Sequence, residues 1–367
     1  MKITTNTQQL TNAVAIANGY ISKEGDFAGK IVITGAKGFI TVKSTDYIQL
    51  IALKKIPFVS QDLTMDSFKD FSIDGKKLLT ALKAAKTDEV ILEIDNSILV
   101  IKSGRSRVKI ELNYEVQEIS TSANGNFLNI DRNIITDFKK IYHAIDANNP
   151  KFELNGVFME IKNGVLNLVS SDTRRLSVCS SKTSDNDMEL IVPKEAISSM
   201  IKLFPHENII AEFDDISLTV KTEMVTYSTK LINGKFPEYR RILPQSFAQN
   251  LTITRTKFLE LIKEASLFEQ QISILIEDGK ITINDKDKNT EVQDNVLDES
   301  VSMYFHINAK SVLDFLSSYD GENVEIKFNS AKLPIVLRAD SSYLEVCMPI
   351  VVENEKKQSE VEEKQAA

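Results

Sequence analysis

The chain has 367 residues, 42% hydrophobic and 26% charged, with 44 basic against 52 acidic side chains and a net charge of −8. That composition suits a soluble globular protein too long for one ordinary core, so two or three domains are expected. It holds no apolar run of the ~18 residues a membrane span needs, and its acidity argues against a tight nucleic-acid binder.

The first residues, MKITTNTQQL, lack the apolar core of a signal peptide, and Cys179 and Cys347 have no CxxC spacing. A cytoplasmic protein with reduced, structural cysteines is expected.

Along the chain, Leu10, Val14, Ala17 and Ile21 predict a helix over 8–21. KIVITGAKGFITVKS then reads as a hairpin broken at GAKG. IDGKKLLTALKAAK predicts a helix over 76–86 with Leu78, Leu82 and Ala85 on its apolar face, and EVILEIDNSILVIKS a hairpin broken at DN. The cycle restarts. Ile134, Phe138, Ile141 and Ile145 mark a helix over 134–145, followed by the hairpin VFMEIKNGVLNLVSS, a helix over 194–204 with Ile197, Ile201 and Phe204, and NIIAEFDDISLTVKT. A third round has a helix over 257–268 with Phe258, Ile262 and Ala265, the hairpin SILIEDGKITIND, and a helix over 310–319 with Val312, Leu316 and Tyr319. The segments that carry the second helices of the rounds begin at Ile73, Val192 and Ile307, 119 and 115 residues apart. The chain therefore reads as α+β, three repeats of two helices with antiparallel sheets. Their bounds are 1–122, 123–246 and 247–351, and the charged tail 352–367 is expected to be disordered.

The six predicted helices carry 11 lysines and 5 acidic residues, a net +6 that leaves −14 on the rest of the chain. Lysines decorating solvated helix faces would give that split, and so would one surface facing a polyanion. The second reading makes Lys76, Lys77, Lys194 and Lys310, with Arg105 and Arg107 outside the helices, candidates for weak, salt-sensitive phosphate contacts without base readout.

No GxxxxGK[ST], GxSxG, HExxH or GxGxxG motif occurs, so nucleotide hydrolysis and nucleophilic triads have no support. His143, His206 and His306 are scattered, and DKDKNTEVQDNV (285–296) lacks the Gly and Glu of a calcium loop and reads as a polar strand connection. No cofactor, metal or catalytic site is expected. Conversely, LINGKFPEYRRILPQ (231–245) sets Lys235, Arg240 and Arg241 among aromatic residues and prolines, an odd expenditure in an acidic chain.

The repeat, with SGRSR (103–107), LNG (154–156), SSDTRRLSVCS (170–180), GKFPEYRRILP (234–244) and VCMPI (346–350) in that order, closely resembles the bacterial replicative sliding clamps, the β subunits of DNA polymerase III. The resemblance covers residues 1–350 and implies a head-to-tail homodimer of three-domain subunits closed into a ring, helices lining the hole and sheets outside. It implies a processivity factor that encircles double-stranded DNA and tethers the polymerase III α subunit, the clamp loader, other polymerases and repair proteins through short peptides. It places their groove at Leu154, Ser171, Thr173, Arg175, Leu176, Pro237, Arg241, Ile242, Val346, Met348, Pro349 and Ile350. It marks Val108, Ile110 and Leu267 as the dimer seam, and adds Lys23 and Asn148 to the DNA-facing set. The chain departs from the family at Thr173-Arg174, where members often carry Gly-His, at KEGDFAGK (23–30), and in its tail. A rival reading, an interaction scaffold that never encircles DNA, is separated by mass in solution and by retention on circular against linear DNA.

Overall fold

A computed structural model describes residues 1–60, 68–116, 125–296 and 300–351. The expected tail, 352–367, lies outside the described residues. The first repeat runs β1 (Lys2–Asn6), α1 (Thr7–Ala17), β2 (Lys30–Ala36), β3 (Phe39–Thr45), β4 (Gln49–Ser60), β5 (Phe71–Asp74), α2 (Gly75–Lys83), β6 (Glu89–Asp95), β7 (Ile98–Ser103) and β8 (Ser106–Asn113). The second has β9 (Asn126–Ile130), α3 (Arg132–Ile141), β10 (Gly156–Lys162), β11 (Val165–Ser171), β12 (Arg175–Lys182), β13 (Met188–Pro193), α4 (Lys194–Leu203), β14 (Ile209–Phe213), β15 (Ser217–Lys221) and β16 (Val225–Lys230). The third has β17 (Gln249–Thr254), α5 (Arg255–Ala265), β18 (Gln271–Glu277), β19 (Lys280–Asp285), β20 (Glu291–Asn295), β21 (Met303–Asn308), α6 (Ala309–Ser317), β22 (Asn323–Phe328), β23 (Ile335–Arg338) and β24 (Tyr343–Cys347). The order strand, helix, four strands, helix, three strands recurs three times, in an α+β fold whose sheets are antiparallel.

Local chemistry explains the repeat. The first hairpin of each round turns at Lys37-Gly38, Asn163-Gly164 or Asp278-Gly279, all at φ between 48° and 80°. Two successive left-handed residues make the type I′ turn whose twist matches antiparallel strands. Helices start where a short polar side chain caps them: Asn6 accepts from the Gln9 N–H, Asp74 from Lys77 and Asn308 from Lys310. The helices end earlier than the apolar spacing predicts. After α1 and α3 the chain tightens into 3-10 turns, Asn18–Tyr20 and Tyr142–Ala144, which keep Tyr20 and Ala144 buried without continuing the helix.

Met1–Asp131 and Glu207–Leu231 form one compact unit, and Arg132–His206 with the chain from Ile232 forms the other. The first holds a twelve-stranded sheet, β1-β6-β7-β8-β5-β2-β3-β4-β16-β15-β14-β9, in which β4 also returns to pair β1. The second holds an eight-stranded sheet, β13-β10-β11-β12-β24-β23-β22-β17, and a four-stranded sheet, β20-β19-β18-β21. The second repeat thus contributes strands to both units.

Two pairings join one repeat to the next, and they are equivalent. β4 pairs β16, and β12 pairs β24. In each, the third strand of a repeat's first hairpin set takes the last strand of the following repeat.

Candidate functional site

The residues expected to form the peptide groove lie in the second unit. Their floor is apolar and closed. Leu176 of β12 faces Val346 of β24 in register, and both pack with Leu154, Phe158, Phe236 and Tyr239 in one buried cluster. Above it, Ile242 and Met348 are 43% and 45% exposed. Pro237, Arg241 and Thr173 are exposed, Pro349 and Ile350 half-buried. The twelve residues expected to act together therefore divide into a buried floor, with Ser171 and Arg175, and an open rim.

Phe236 and Tyr239 of the stretch 231–245 face inward. Phe236 stacks on Phe158 with centroids 4.9 Å apart and planes 2° apart, and Tyr239 meets the same ring edge-on at 6.2 Å. Glu160 of β10, buried at 4% exposure, accepts from the Tyr239 hydroxyl at 3.0 Å and from both Nη atoms of Arg240, one of them at 2.8 Å. Arg240's hydrogen bond, with burial opposing and Tyr239 assisting, holds the Glu160 carboxyl below its ordinary range. Burial first, then Glu160, pushes the Tyr239 hydroxyl up. With the loop held from below, its 3-10 turn Tyr239–Arg241 delivers Arg241 and Ile242 to the surface.

On the opposite rim, Asp172 accepts from the Arg174 and Arg175 N–H groups at 3.0 Å each, while Thr173 sits at φ 74°. This is a costly conformation for a β-branched residue, found where the family often carries glycine. The Arg174 carbonyl accepts the Met348 N–H at 2.9 Å, and the His306 carbonyl accepts the Ile350 N–H at 2.8 Å, which fixes the segment after β24.

Beneath that rim lies a charged network that sequence reasoning missed. Arg175 Nη2 donates to Asp314 at 3.0 Å and to the His143 carbonyl at 3.0 Å, its Nε donates to Asp172 at 3.1 Å, and its Nη1 lies 3.8 Å from Glu345. Glu345 has no exposed surface and also binds His143 Nε2 at 2.6 Å and the Ser177 hydroxyl. Both missed carboxylates left a signal, a lone Glu inside an apolar strand: VFMEIK for Glu160 and YLEVC for Glu345. A buried acid requires a partner.

The polyanion candidates separate by what already holds them. The six observed helices carry twelve basic and five acidic residues, so their basic excess survives the shorter bounds. Lys23, Lys76, Lys77 and Arg105 are exposed without a side-chain partner among the described residues. Arg107 lies 3.9 Å from Glu93. Lys194 donates to the Ile145 carbonyl at 2.6 Å beside the Tyr142 ring, and Lys310 is bridged by Asp314 at 2.9 Å. Asn148 closes a turn with Asp146, its N–H donating to the carboxylate at 3.1 Å.

Of the residues expected at a dimer seam, Val108 on β8 is half-buried and Ile110 is buried in its own unit, while Leu267 is 70% exposed beside Phe268 at 71%. Among the described residues, β8 pairs β7 along its length and β5 only at Leu112 and Asn113, leaving Arg107–Glu111 with one open side. That edge borders a hollow of about 490 Å³ whose walls include Lys30, Asp74, Lys77 and Lys109. β20 pairs only β19.

DKDKNTEVQDNV forms the turn after β19 and then β20 itself. Both cysteines are free and buried, and burial pushes their thiols up. Among the described residues no helix is long and apolar enough to cross a membrane.

The family model for the DNA polymerase III β subunit central domain matches residues 131–238, and that for its C-terminal domain matches 240–351. A β sliding clamp of Helicobacter pylori strain 26695 is 28% identical over 366 residues, spanning 92% of this chain and 94% of that protein. The crystal structure of the Helicobacter pylori β clamp bound to a DNA ligase peptide superposes with a TM-score of 0.86 at 26% identity, covering 96% of this chain and all of that one. The DNA polymerase III β subunit of Pseudomonas aeruginosa has the same fold, with a TM-score of 0.87 at 18% identity and the same coverage.

Proposed function

We propose, because this chain belongs to the DNA polymerase III β-subunit family, that two copies close head to tail into a ring around duplex DNA. The chain is a DNA sliding clamp, a processivity factor that tethers its partners to DNA and performs no chemistry of its own. The observation that carries the ring is the strand-pairing rule. β4–β16 and β12–β24 each join a repeat to the next, and a third pair of the same kind would join β20 to β8. Each of those strands has an open side among the described residues, and a second copy would supply the neighbour. Two such joints close a dimer. Opposite charges are available at the joint, since the exposed charged residues of β8 are Arg107 and Lys109 with Glu111, a net positive set, while those of β20 include Glu291. Leu267 and Phe268, large apolar side chains left open in one copy, would be covered there.

The three repeats are read as the clamp's domains, 1–122, 123–246 and 247–351. Their helices would face the duplex, with Lys23, Lys76, Lys77 and Arg105 free for weak phosphate contacts and the paired Lys194 and Lys310 contributing less. The floor of Leu154, Leu176 and Val346, rimmed by Pro237, Ile242 and Met348, would take a short peptide with apolar anchors. Such peptides would come from the polymerase III α subunit, the clamp loader, other polymerases and repair proteins in the cytoplasm. A single groove would bind with Kd on the order of micromolar.

Sedimentation tests the ring. The expected native mass is twice 41.2 kDa, and Val108→Asp or Leu267→Asp should give folded monomers, because an unpaired Asp buried at the joint costs several kcal/mol. A wild-type monomer at micromolar concentration would contradict the reading.

A further inference from the structure

An asparagine followed by glycine can modify itself, because no Cβ on the glycine keeps its amide nitrogen from the asparagine side chain. The chain contains five such pairs, beginning at Asn18, Asn124, Asn155, Asn163 and Asn233. Asn124 lies outside the described residues. Three of the other four are held. Asn18 sits in a 3-10 turn, its Nδ2 donating to the Val14 and Gly75 carbonyls at 2.8 and 2.9 Å. The Asn155 carbonyl accepts the Lys194 N–H at 3.1 Å, and Gly156 is buried in β10 opposite Pro193. Asn163 and Gly164 form a type I′ turn closed by the Lys162–Val165 pair, and the Asn163 N–H donates to Asp187 at 3.0 Å.

Asn233-Gly234 is different. Both residues are exposed, lie outside any helix or strand, and have no hydrogen bond among the described residues. The chain is anchored on either side of them. The Ile232 N–H donates to the Ile191 carbonyl at 3.0 Å, and Phe236 stacks on Phe158. A Cβ at Gly234 would come within 2.9 Å of the Phe152 ring, so the site itself favours glycine.

We propose that Asn233 is a site of spontaneous covalent modification, in which the Gly234 nitrogen displaces ammonia from the Asn233 side chain. The Gly234 amide loses its proton and its nitrogen bonds to Asn233 Cγ. The Cγ–Nδ2 bond breaks, and the leaving nitrogen takes up a proton and departs as ammonia. Water then opens the succinimide ring at either carbonyl, leaving Asp or iso-Asp at position 233. Water is the sole co-reactant. The product adds a negative charge near Lys235 and, in the iso form, lengthens the main chain between the Ile232 and Phe236 anchors. The ring closes only when nitrogen and Cγ meet, so a pair held in a turn or ladder must open first. Every ~1.4 kcal/mol of opening slows the step tenfold.

Incubating the full-length protein in heavy-oxygen water at mildly alkaline pH, then digesting it in ordinary water and weighing the peptides, tests this. The new carboxyl takes its oxygen from the incubation water, which separates conversion in the folded protein from conversion during digestion. The tryptic peptide Leu231–Lys235 should gain the label about tenfold faster than the peptides carrying Asn18, Asn155 or Asn163. In urea the four rates should converge, because no fold then holds the other three. A more acidic form of the protein should appear on anion exchange at the Asn233 rate, and N233Q should suppress it. Raising pH should speed the conversion, since the attacking nitrogen must lose its proton. Conversion at Asn233 no faster than at Asn163 in the folded protein, or a ranking that urea leaves unchanged, would overturn the assignment.

Discussion

Glu160 and Glu345 are both strand carboxylates buried in the second unit, and both hold one arginine of a doublet, yet they do so under opposite conditions. The Arg240 side chain that grips Glu160 is itself 49% exposed, and every oxygen of Glu160 has a donor. The Arg175 side chain beside Glu345 is 7% exposed, and its Nη1, like Nδ1 of His143, is buried without a hydrogen bond among the described residues. The first arrangement is a clasp at the surface that positions a loop. The second ties α6, β12, β24 and the end of α3 together inside the fold. A half-open clasp can be removed at modest cost, whereas breaking a buried network strands charges out of water.

Glu345→Ala should therefore be the most damaging change, lowering stability by about 3–5 kcal/mol in urea unfolding, because Arg175 and His143 lose their shared partner. Glu160→Ala should cost less, about 1–3 kcal/mol, since water can take over part of Arg240's hydrogen bonding. Its larger effect should be on peptide binding, as the loop carrying Pro237 and Ile242 loses its tether. Equal losses of stability in the two variants would erase the distinction. Acid sharpens it further. The Glu160 carboxyl is held below its ordinary value of 4.5, so its contribution is present above that pH and disappears as pH falls through the lower folded value. Unfolding of Glu160→Gln should accordingly depend less steeply on pH below about 4.5 than wild type does. The smallest expected effect is at the rim. Thr173→Gly should relieve the left-handed strain at φ 74° and raise stability by about 1 kcal/mol, measured as a higher urea midpoint. A loss on that substitution would mean the threonine makes compensating contacts.

Local pattern made the repeat legible. Apolar spacing marked Leu10, Val14 and Ala17 or Phe258, Ile262 and Ala265 as helix faces, and turn pairs such as Asn163-Gly164 marked hairpins, because both signals act within a few residues. Distant pairings were not legible in that way. In LINGKFPEYRRILPQ the three cations look alike on paper. What separates Arg240, an anchor, from Arg241, a free rim charge, is a glutamate 80 residues earlier. The same holds for Lys194, held by the Ile145 carbonyl, whereas Lys310 pairs with Asp314 one turn further along its own helix. The segments named by resemblance include β12 and β24, which pair in register, and only packing divides their residues into floor and rim.

The central claim is topological: the protein holds DNA by surrounding it. After loading onto nicked circular DNA, the clamp should stay bound through gel filtration at high salt and leave when the circle is cut once, because phosphate contacts alone are screened while a closed ring has an exit only at an end. Replacing Lys76 and Lys77 by Glu should slow loading without changing this dependence on a free end. Equal loss from intact circles and cut DNA at high salt, or retention that survives linearisation, would contradict the account.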